Sequence, residues 1–103
     1  MDSVAPVQLP LLALDVGMRR IGVATCDALG ISCRGITMLN RNDRQWTREV
    51  SARAVELRSR GIVIGLPRNM DGSSGRQADD SLQAAAELAA ECPLPIYYQD
   101  ERL

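Results

Sequence analysis

The chain has 103 residues, of which 46% are hydrophobic and 24% are charged, and its formal net charge is −1 at pH 7. This size and composition are typical of a single globular domain spanning residues 1–103, and they argue against extensive disorder or a fibrous repeat. The near-neutral charge argues against indiscriminate nucleic-acid binding, although a local arginine cluster can still contact phosphates.

The sequence contains no histidine, and its three cysteines form no C-x-x-C motif. These facts argue against a zinc site and exclude Ser-His or Cys-His nucleophilic catalysis. We expect the cysteines to be apolar fillers in a reducing compartment, with Cys26 and Cys33 on either side of a hairpin. Residues 1–10 lack the basic segment of a signal peptide, and Asp15 interrupts the apolar run that follows. The sequence therefore predicts a cytoplasmic protein without a membrane span.

The first three predicted elements are strands. The apolar run of residues 11–14 predicts a strand over residues 10–15 that is buried on both faces. Two further strands, over residues 20–26 and 31–38, follow with a turn at residues 27–30 between them. Short connections of this kind predict an antiparallel meander.

The periodicity then changes to that of an amphipathic helix. Its apolar positions recur at helical spacing: Trp46, Val50, Ala54 and Leu57. We expect Asn42 or Asp43 to cap this helix and Gly61 to end it. The next run, residues 62–66, is rich in β-branched residues without alternation, which is typical of a central parallel strand that Pro67 ends.

A loop rich in turn formers, residues 67–75, leads to a second helix that Ser73 or Ser74 is expected to cap. The predicted apolar face of this helix comprises Ala78, Leu82, Ala85 and Ala89. A last strand follows over residues 94–98. Right-handed crossovers would make strands one, four and five parallel, with strand four between the other two. The predicted fold class is therefore α/β, with a mixed five-stranded sheet and helices packed on its faces.

Acidic residues follow two of the parallel strands. The carboxyl ends of such strands gather along one edge of a sheet, which brings Asp15 and the pair Asp100-Glu101 to the same edge. Oxygen ligands of this kind suit Mg²⁺ or Mn²⁺, and Asp15 with Glu101 is the natural pair, with Asp100 as the substitute if the register differs by one. The alternatives are that Asp15 is a turn residue bonded to the backbone of Gly17, and that the other acids form a solvated loop.

Basic residues and glycine surround the same edge. Gly17 would let the backbone approach a phosphate closely, and Arg19 and Arg20 lie in the turn above the edge, where they could also simply bond loop carbonyls. We expect these two arginines, together with Arg68 and Arg76, to guide a phosphodiester backbone to the acidic centre.

Four stretches of the chain together resemble the YqgF/RuvX family of RNase H-like proteins. They are Leu14-Asp15-Val16-Gly17 with Arg20-Ile21-Gly22-Val23-Ala24, then Ile64-Gly65-Leu66-Pro67, Asn69-Met70-Asp71-Gly72 and Asp100-Glu101-Arg102-Leu103. The resemblance implies an RNase H-like fold and a nuclease that matures the 5′ end of pre-16S rRNA during ribosome biogenesis. Relatives are also described as Holliday-junction resolvases, which act on branched DNA.

The motifs of that family assign roles to residues of this chain. By position, the resemblance makes Asp15 the first metal-binding acid and Glu101 the second, both catalytic, and it adds Asn69 and Arg102 to the candidate substrate-binding residues. Members of the family continue beyond the Asp-Glu-Arg-Leu motif through a helical region with a third acid. We therefore expect a domain truncated at its C-terminus, with little nuclease activity of its own and a bare apolar sheet surface that favours a homodimer.

Two other functions are compatible with parts of the sequence. A non-catalytic module that binds RNA or a protein partner needs no metal, so that metal dependence separates it from a nuclease. An Asp-x-Gly before a hairpin also opens the phosphate-binding half of actin-like ATPases, but 103 residues cannot supply their second lobe.

Overall fold

The computed structural model describes residues 9–28, 32–68 and 75–102, which form strands and helices in the order βββαβαβ. The elements are β1 (Leu11–Val16), β2 (Arg20–Ala28), β3 (Ser32–Asn40), α1 (Trp46–Glu56), β4 (Gly61–Arg68), α2 (Arg76–Ala89) and β5 (Ile96–Arg102). One sheet contains all five strands in the order β3-β2-β1-β4-β5. The predicted element order and the mixed five-stranded sheet are confirmed.

The strand directions follow from the connections. The three N-terminal strands form the predicted antiparallel meander, whereas β1 is parallel to β4 and β4 is parallel to β5. Strand β4 therefore lies between β1 and β5, as predicted. Its residues Ile62, Val63 and Ile64 are all buried, which explains why this run is apolar at consecutive positions.

Both helices pack against the same face of the sheet. Trp46 and Val50 of α1 and Leu88 of α2 share one buried cluster with strand residues of one alternation, among them Leu14 and Ile64. In the described part of the chain, the opposite face carries no helix. Neither described helix is long and apolar enough to cross a membrane.

Helix α1 begins and ends differently from the prediction. Gln45 is the N-cap residue, and Asp43 lies in the preceding turn, where its Oδ1 accepts the Gln45 N–H at 2.9 Å. At the other end, Arg58 adopts a left-handed conformation with φ of 55°, and Ser59 N–H donates to the Ala54 carbonyl at 2.8 Å. This is a Schellman termination in which an arginine occupies the position that usually favours glycine. The predictions of an Asn42 or Asp43 cap and of a Gly61 stop were wrong.

Gly61 has a different role, because it is the first residue of β4 and is buried. A Cβ atom at this position would lie 2.8 Å from Cε2 of Tyr97 and 3.0 Å from Cδ2 of Leu11. The absence of a side chain therefore lets the Tyr97 ring and Leu11 pack over the start of the strand.

The second half of the chain also differs in detail. Helix α2 has Gly75 as its N-cap, so the predicted capping by Ser73 or Ser74, which lie outside the described residues, was wrong. The face of α2 that is buried contains Ala78, Ser81, Ala84, Ala85 and Leu88, whereas Leu82 is 46% exposed. Pro67 does not end β4, because the strand continues to Arg68 in register with β5.

The cysteines fall into a bonded pair and a free thiol. Cys26 of β2 and Cys33 of β3 form a disulfide, and Cys92 is free and buried. Their predicted positions on either side of a hairpin are confirmed, whereas the expectation that both are simple apolar fillers was wrong.

An ion pair fastens α2 to the start of α1. Arg41 donates to both carboxylate oxygens of Glu87, at 3.3 and 2.9 Å, and its guanidinium lies 5.2 Å from the centroid of the Trp46 ring. The Trp46 Nε1–H also donates to Glu87, at 3.3 Å. These hydrogen bonds, chiefly those from Arg41, hold the pKa of Glu87 below its usual value of 4.5 although partial burial opposes them.

We expect Glu87→Gln to lower the free energy of unfolding by about 1 kcal/mol at pH 7, because it removes the charge that both donors bind. Since the pKa is lowered in the folded state, this contribution is present above pH 4.5 and is lost as the pH falls through the folded pKa. Urea unfolding from pH 3 to pH 7 measures the difference, which should narrow towards low pH. The control is Glu91→Gln at an exposed position. If the difference in unfolding free energy between the wild type and Glu87→Gln does not change with pH, the charge of Glu87 does not stabilise the fold.

Candidate active site

Asp15 lies near the carboxyl end of β1 and is exposed. Its partner on β2 is Gly22, where a Cβ atom would lie 3.6 Å from the Cβ of Asp15. The turn that follows is closed by the Gly17 N–H, which donates to the carbonyl of Arg20 at 2.8 Å. Asp15 is therefore a strand residue beside a glycine, and the alternative of an ordinary turn residue was wrong.

The register of the parallel strands relates Asp15 to the C-terminal acids. Leu14 pairs with Ile64, and Gly65 pairs with Gln99, so that Asp15, Gly65 and Gln99 occupy neighbouring strands at one level. Asp100 and Glu101 pair with Leu66 and Pro67, which are one and two residues further along. Two strand spacings and two residues separate the Cα positions of Asp15 and Glu101 by roughly 12 Å. The structure thus brings both predicted positions to one sheet edge, across β4, but inside β5 rather than after it.

Several candidate substrate-binding residues lie at the same edge. Arg19 lies in the turn between β1 and β2, Arg20 is the first residue of β2, and both are exposed. The carbonyl of Arg19 accepts the Arg41 N–H at 2.8 Å. At the backbone level, Arg68 and Arg102 are register partners at the ends of β4 and β5. Of the two remaining candidates, Arg76 is the first residue of α2, which follows β4 in the chain, and Asn69 lies outside the described residues.

A trough of about 430 Å³ opens beside Asp15 on the sheet face without helices. Its lining includes the small residues Ala13, Gly22, Ala24 and Gly35, together with Asp15 and Met38. A second cavity of about 290 Å³, lined by Arg20, Met38, Leu39 and Asn40, adjoins it at Met38. The Met38 side chain, which is 60% exposed, therefore contributes to both.

The sequence interpretation missed this trough. The signal was the recurrence of small residues at alternate positions of β1 and β2, because Ala13 pairs with Ala24 and Asp15 pairs with Gly22. A β-bulge in β3 adds to the shape, since the partner of Val23 is Thr37 and the partner of Ala24 is Gly35, with Ile36 inserted between them. The position of a bulge depends on cross-strand register, which no local pattern in β3 reveals.

The carboxylate of Asp15 is accessible to solvent at this edge of the sheet. Asp15 forms no ion pair and no side-chain hydrogen bond with the other described residues, so its oxygens are open to an external cation. Among the side chains that the structure describes, no cluster of three or more potential metal ligands occurs. Those of Asp100 and Glu101 are not among them.

These features define a class of protein. A mixed sheet in the order β3-β2-β1-β4-β5, with helices between its parallel strands and an aspartate near the carboxyl end of β1, is an RNase H-like fold. Residues 10–103 match the RuvX family, which is described as Holliday junction resolvase. The chain belongs to the RuvX family.

The chain is also similar to curated relatives and to a solved structure. A relative from Synechococcus elongatus, named "Putative pre-16S rRNA nuclease", is 50% identical over 93 residues, which cover 89% of this chain. A Lactobacillus johnsonii relative with the same name is 38% identical over 96 residues, covering 90% of this chain and 67% of its own. Among solved structures, Pelota from Archaeoglobus fulgidus shares the fold at 13% identity, with a TM-score of 0.52, over 89% of this chain and 26% of its own.

The chain matches only part of the length of these relatives. The chain spans 62% of the length of the Synechococcus elongatus relative. Activity, substrate and partners are therefore properties to be proposed and tested for this chain.

Proposed function

We propose that this chain is the core of a metal-dependent nuclease in which Asp15 and Glu101 hold Mg²⁺ or Mn²⁺. The observation that carries the proposal is the exposed carboxylate of Asp15 beside Gly22, which pairs with no other side chain that the structure describes, at the edge where β5 brings its acids. Carboxylate oxygens suit these hard cations, which usually retain water and substrate oxygens as further ligands.

The alternation of side chains along a strand favours Glu101 over Asp100 as the second acid. Asp15 and Gln99 occupy the same level and face of the parallel sheet. Positions 99 and 101 have the same alternation, whereas position 100 has the opposite one. Glycine at position 65, between the two acidic strands, leaves room for carboxylates to approach each other over β4.

The residues around the edge would orient the substrate. When bound, the metal ions supply activation of a water molecule and neutralisation of charge at the scissile phosphate. Arg19, Arg20, Arg68 and Arg102 would bind the flanking phosphates, and the small residue Gly17 would let the backbone approach them. Asn69 and Arg76 remain candidates for the same role. The trough would seat the sugar and base of one unpaired nucleotide while its phosphate lies at Asp15, since its volume is that of a small-ligand site.

The proposed substrate is pre-16S rRNA, for which the relatives are named. The second candidate is a branched DNA junction, which the description of the family favours. Phosphate contacts alone do not distinguish the two, because they carry no sequence information. The cytoplasmic location and the homodimer expected above stay predictions.

Metal titration followed by backbone NMR tests the proposed site. If Asp15 and Glu101 share a metal, Mg²⁺ should shift the signals of residues 15–17 and 100–102 together. Asp15→Asn should abolish both sets of shifts without unfolding the chain, since Asp15 is exposed. The matched control is Asp27→Asn, at an exposed position of β2. Shifts confined to other surface acids would refute the shared site.

Nucleic-acid binding should weaken as the salt concentration rises, because phosphate contacts release counterions. We expect Arg20→Ala to reduce the slope of log K against log salt by about 1 for duplex DNA and about 0.7 for single strands. Fluorescence anisotropy with a single-stranded RNA and a four-way DNA junction measures both slopes. Arg48→Ala, on the exposed side of α1, is the control and should leave them unchanged. Binding that is insensitive to salt would favour a protein-binding module instead.

A further inference from the structure

The cysteine pair on the outer hairpin lies apart from the acidic edge. Cys26 and Cys33 are register partners on β2 and β3, their Cα atoms lie 4.1 Å apart and their sulfur atoms are bonded. Cys26 is 3% exposed, whereas Cys33 is exposed. One cysteine is thus accessible to solvent, and the other is held directly behind it.

We propose that Cys26 and Cys33 form a reversible thiol–disulfide site that opens and closes the β2–β3 hairpin by exchange with a small thiol and its disulfide, such as glutathione and glutathione disulfide. The strand register itself brings the two sulfur atoms within bonding reach, because the two cysteines face each other on neighbouring strands. Cys92 is buried away from this pair and takes no part.

The exchange can be written with every atom balanced. The thiolate of the exposed Cys33 attacks glutathione disulfide, forming a mixed disulfide and releasing one glutathione, which takes up a proton. Cys26 then loses its proton and attacks the Cys33 sulfur, releasing the second glutathione. Two protein thiols are oxidised and one glutathione disulfide is reduced. The accessible Cys33 is the entry point, and the buried Cys26 resolves the mixed disulfide.

The bond joins an edge strand of the sheet to its neighbour. Strand β3 is at the edge of the sheet and pairs only with β2. Its ladder is interrupted by register shifts between Val23 and Ala24 and between Cys26 and Ala28. A covalent link between an edge strand and its neighbour restricts the open states of the hairpin.

The consequence for the trough rests on the proposed function. The same two strands carry Gly22 and Met38, which line the trough at Asp15. Opening of the hairpin in the reduced protein would loosen this wall and weaken nucleic-acid binding, whereas oxidation would hold it in place. The pair is thus a redox input to the proposed site.

Differential alkylation with mass spectrometry in glutathione buffers of graded potential tests the chemistry. As the potential of the buffer rises, we expect Cys26 and Cys33 to become protected from alkylation together, with one shared midpoint potential. Cys92, which is alkylated after the protein is denatured, should react as a free thiol at every potential. Cys92→Ser should leave that midpoint unchanged. A stable glutathione adduct on Cys33 with Cys26 free, or separate midpoints for the two, would overturn the proposal.

Hydrogen exchange tests the effect of the disulfide on the hairpin, because the oxidised and reduced forms of the wild-type protein can be compared directly. Oxidation of the wild-type protein should slow exchange of the β2 and β3 amides by about 10-fold or more, and Cys33→Ser should remove this response to redox buffer. Equal exchange in the two states would overturn the role of the bond. Anisotropy with RNA then separates the two proposals: no binding in either state refutes the proposed function alone, while equal binding in both refutes the coupling.

Discussion

Replacing Asp15 by asparagine is expected to reduce metal-dependent cleavage of RNA by more than about 100-fold, or about 2.7 kcal/mol of transition-state stabilisation. The reason is that loss of a direct ligand should exceed the 10–100-fold cost that is typical of removing an outer-shell partner of a metal site. Asparagine has nearly the shape of aspartate but no charge, and Asp15 is exposed, so that the fold should be retained. Cleavage of a 5′-labelled pre-16S rRNA fragment in Mg²⁺, with and without EDTA, measures the effect.

The comparison must use a protein in which cleavage can be detected, and the family relatives are longer than this chain. The same substitution should therefore be made both in the 103-residue chain and in the chain joined to a family-like C-terminal region. Asp27→Asn is the control for the loss of one surface charge, and it should retain full activity. If Asp15→Asn cleaves as well as the wild type, Asp15 is not a metal ligand. If a four-way DNA junction is cut in preference to RNA, the substrate proposal is wrong while the site survives.

The topology was predictable from local patterns because the order of apolar and polar residues in each strand indicates which of its faces are buried. The apolar runs at the start of β1 and in β4 have no alternation, which predicts strands that are buried on both faces. The prediction is confirmed for Ile62, Val63 and Ile64 of β4, whereas in β1 Ala13 is half-buried and Asp15 is exposed. Short connections imply the meander, and helical connections imply parallel strands with right-handed crossovers. Together these rules place β4 between β1 and β5, and hence bring Asp15 and Glu101 to one edge.

The buried face of a helix and its capping residue were less predictable, because several neighbouring residues could fill each of these roles. In α2, the predicted face through Leu82 and the buried face through Ser81 and Leu88 have centres that differ by about 65° around the helix. Burial selects the second, although it contains the polar Ser81, which is 0% exposed. At the start of α1, Asp43 forms its own turn with Gln45 rather than capping the helix. These choices depend on packing against the sheet and on turn geometry.

The candidate site shows the same division. The acidic pair followed from strand order, whereas the trough beside it depends on a bulge in β3 and on the opposition of Ala13 to Ala24. The ion pair between Arg41 and Glu87 joins residues 46 positions apart in the sequence. Charge pairs within a helix can be predicted from their spacing, but a pair between two elements depends on how those elements dock.

Substitution of Gly61 is expected to have the largest effect on stability of the substitutions considered. Sequence patterns made it a helix stop, but Arg58 ends α1 and Gly61 lies in β4 under the Tyr97 ring. Because a Cβ atom would lie 2.8 Å from Tyr97 and 3.0 Å from Leu11, something in this packing must move to admit a methyl group. The ring and Leu11 would have to shift together, since both contact the same point.

We therefore expect Gly61→Ala to lower the free energy of unfolding by about 2 kcal/mol, which is typical of overpacking a buried site. Urea unfolding at pH 7 measures it. The control is Gly35→Ala, since a Cβ atom there meets nothing within 4 Å, and its effect should stay within about 0.5 kcal/mol. Removing the ring with Tyr97→Val should make Gly61→Ala less costly than in the wild-type background, because the clash is then relieved. Additive effects of Gly61→Ala and Tyr97→Val, or a harmless Gly61→Ala, would show that the close approach of the ring does not make glycine necessary at this position.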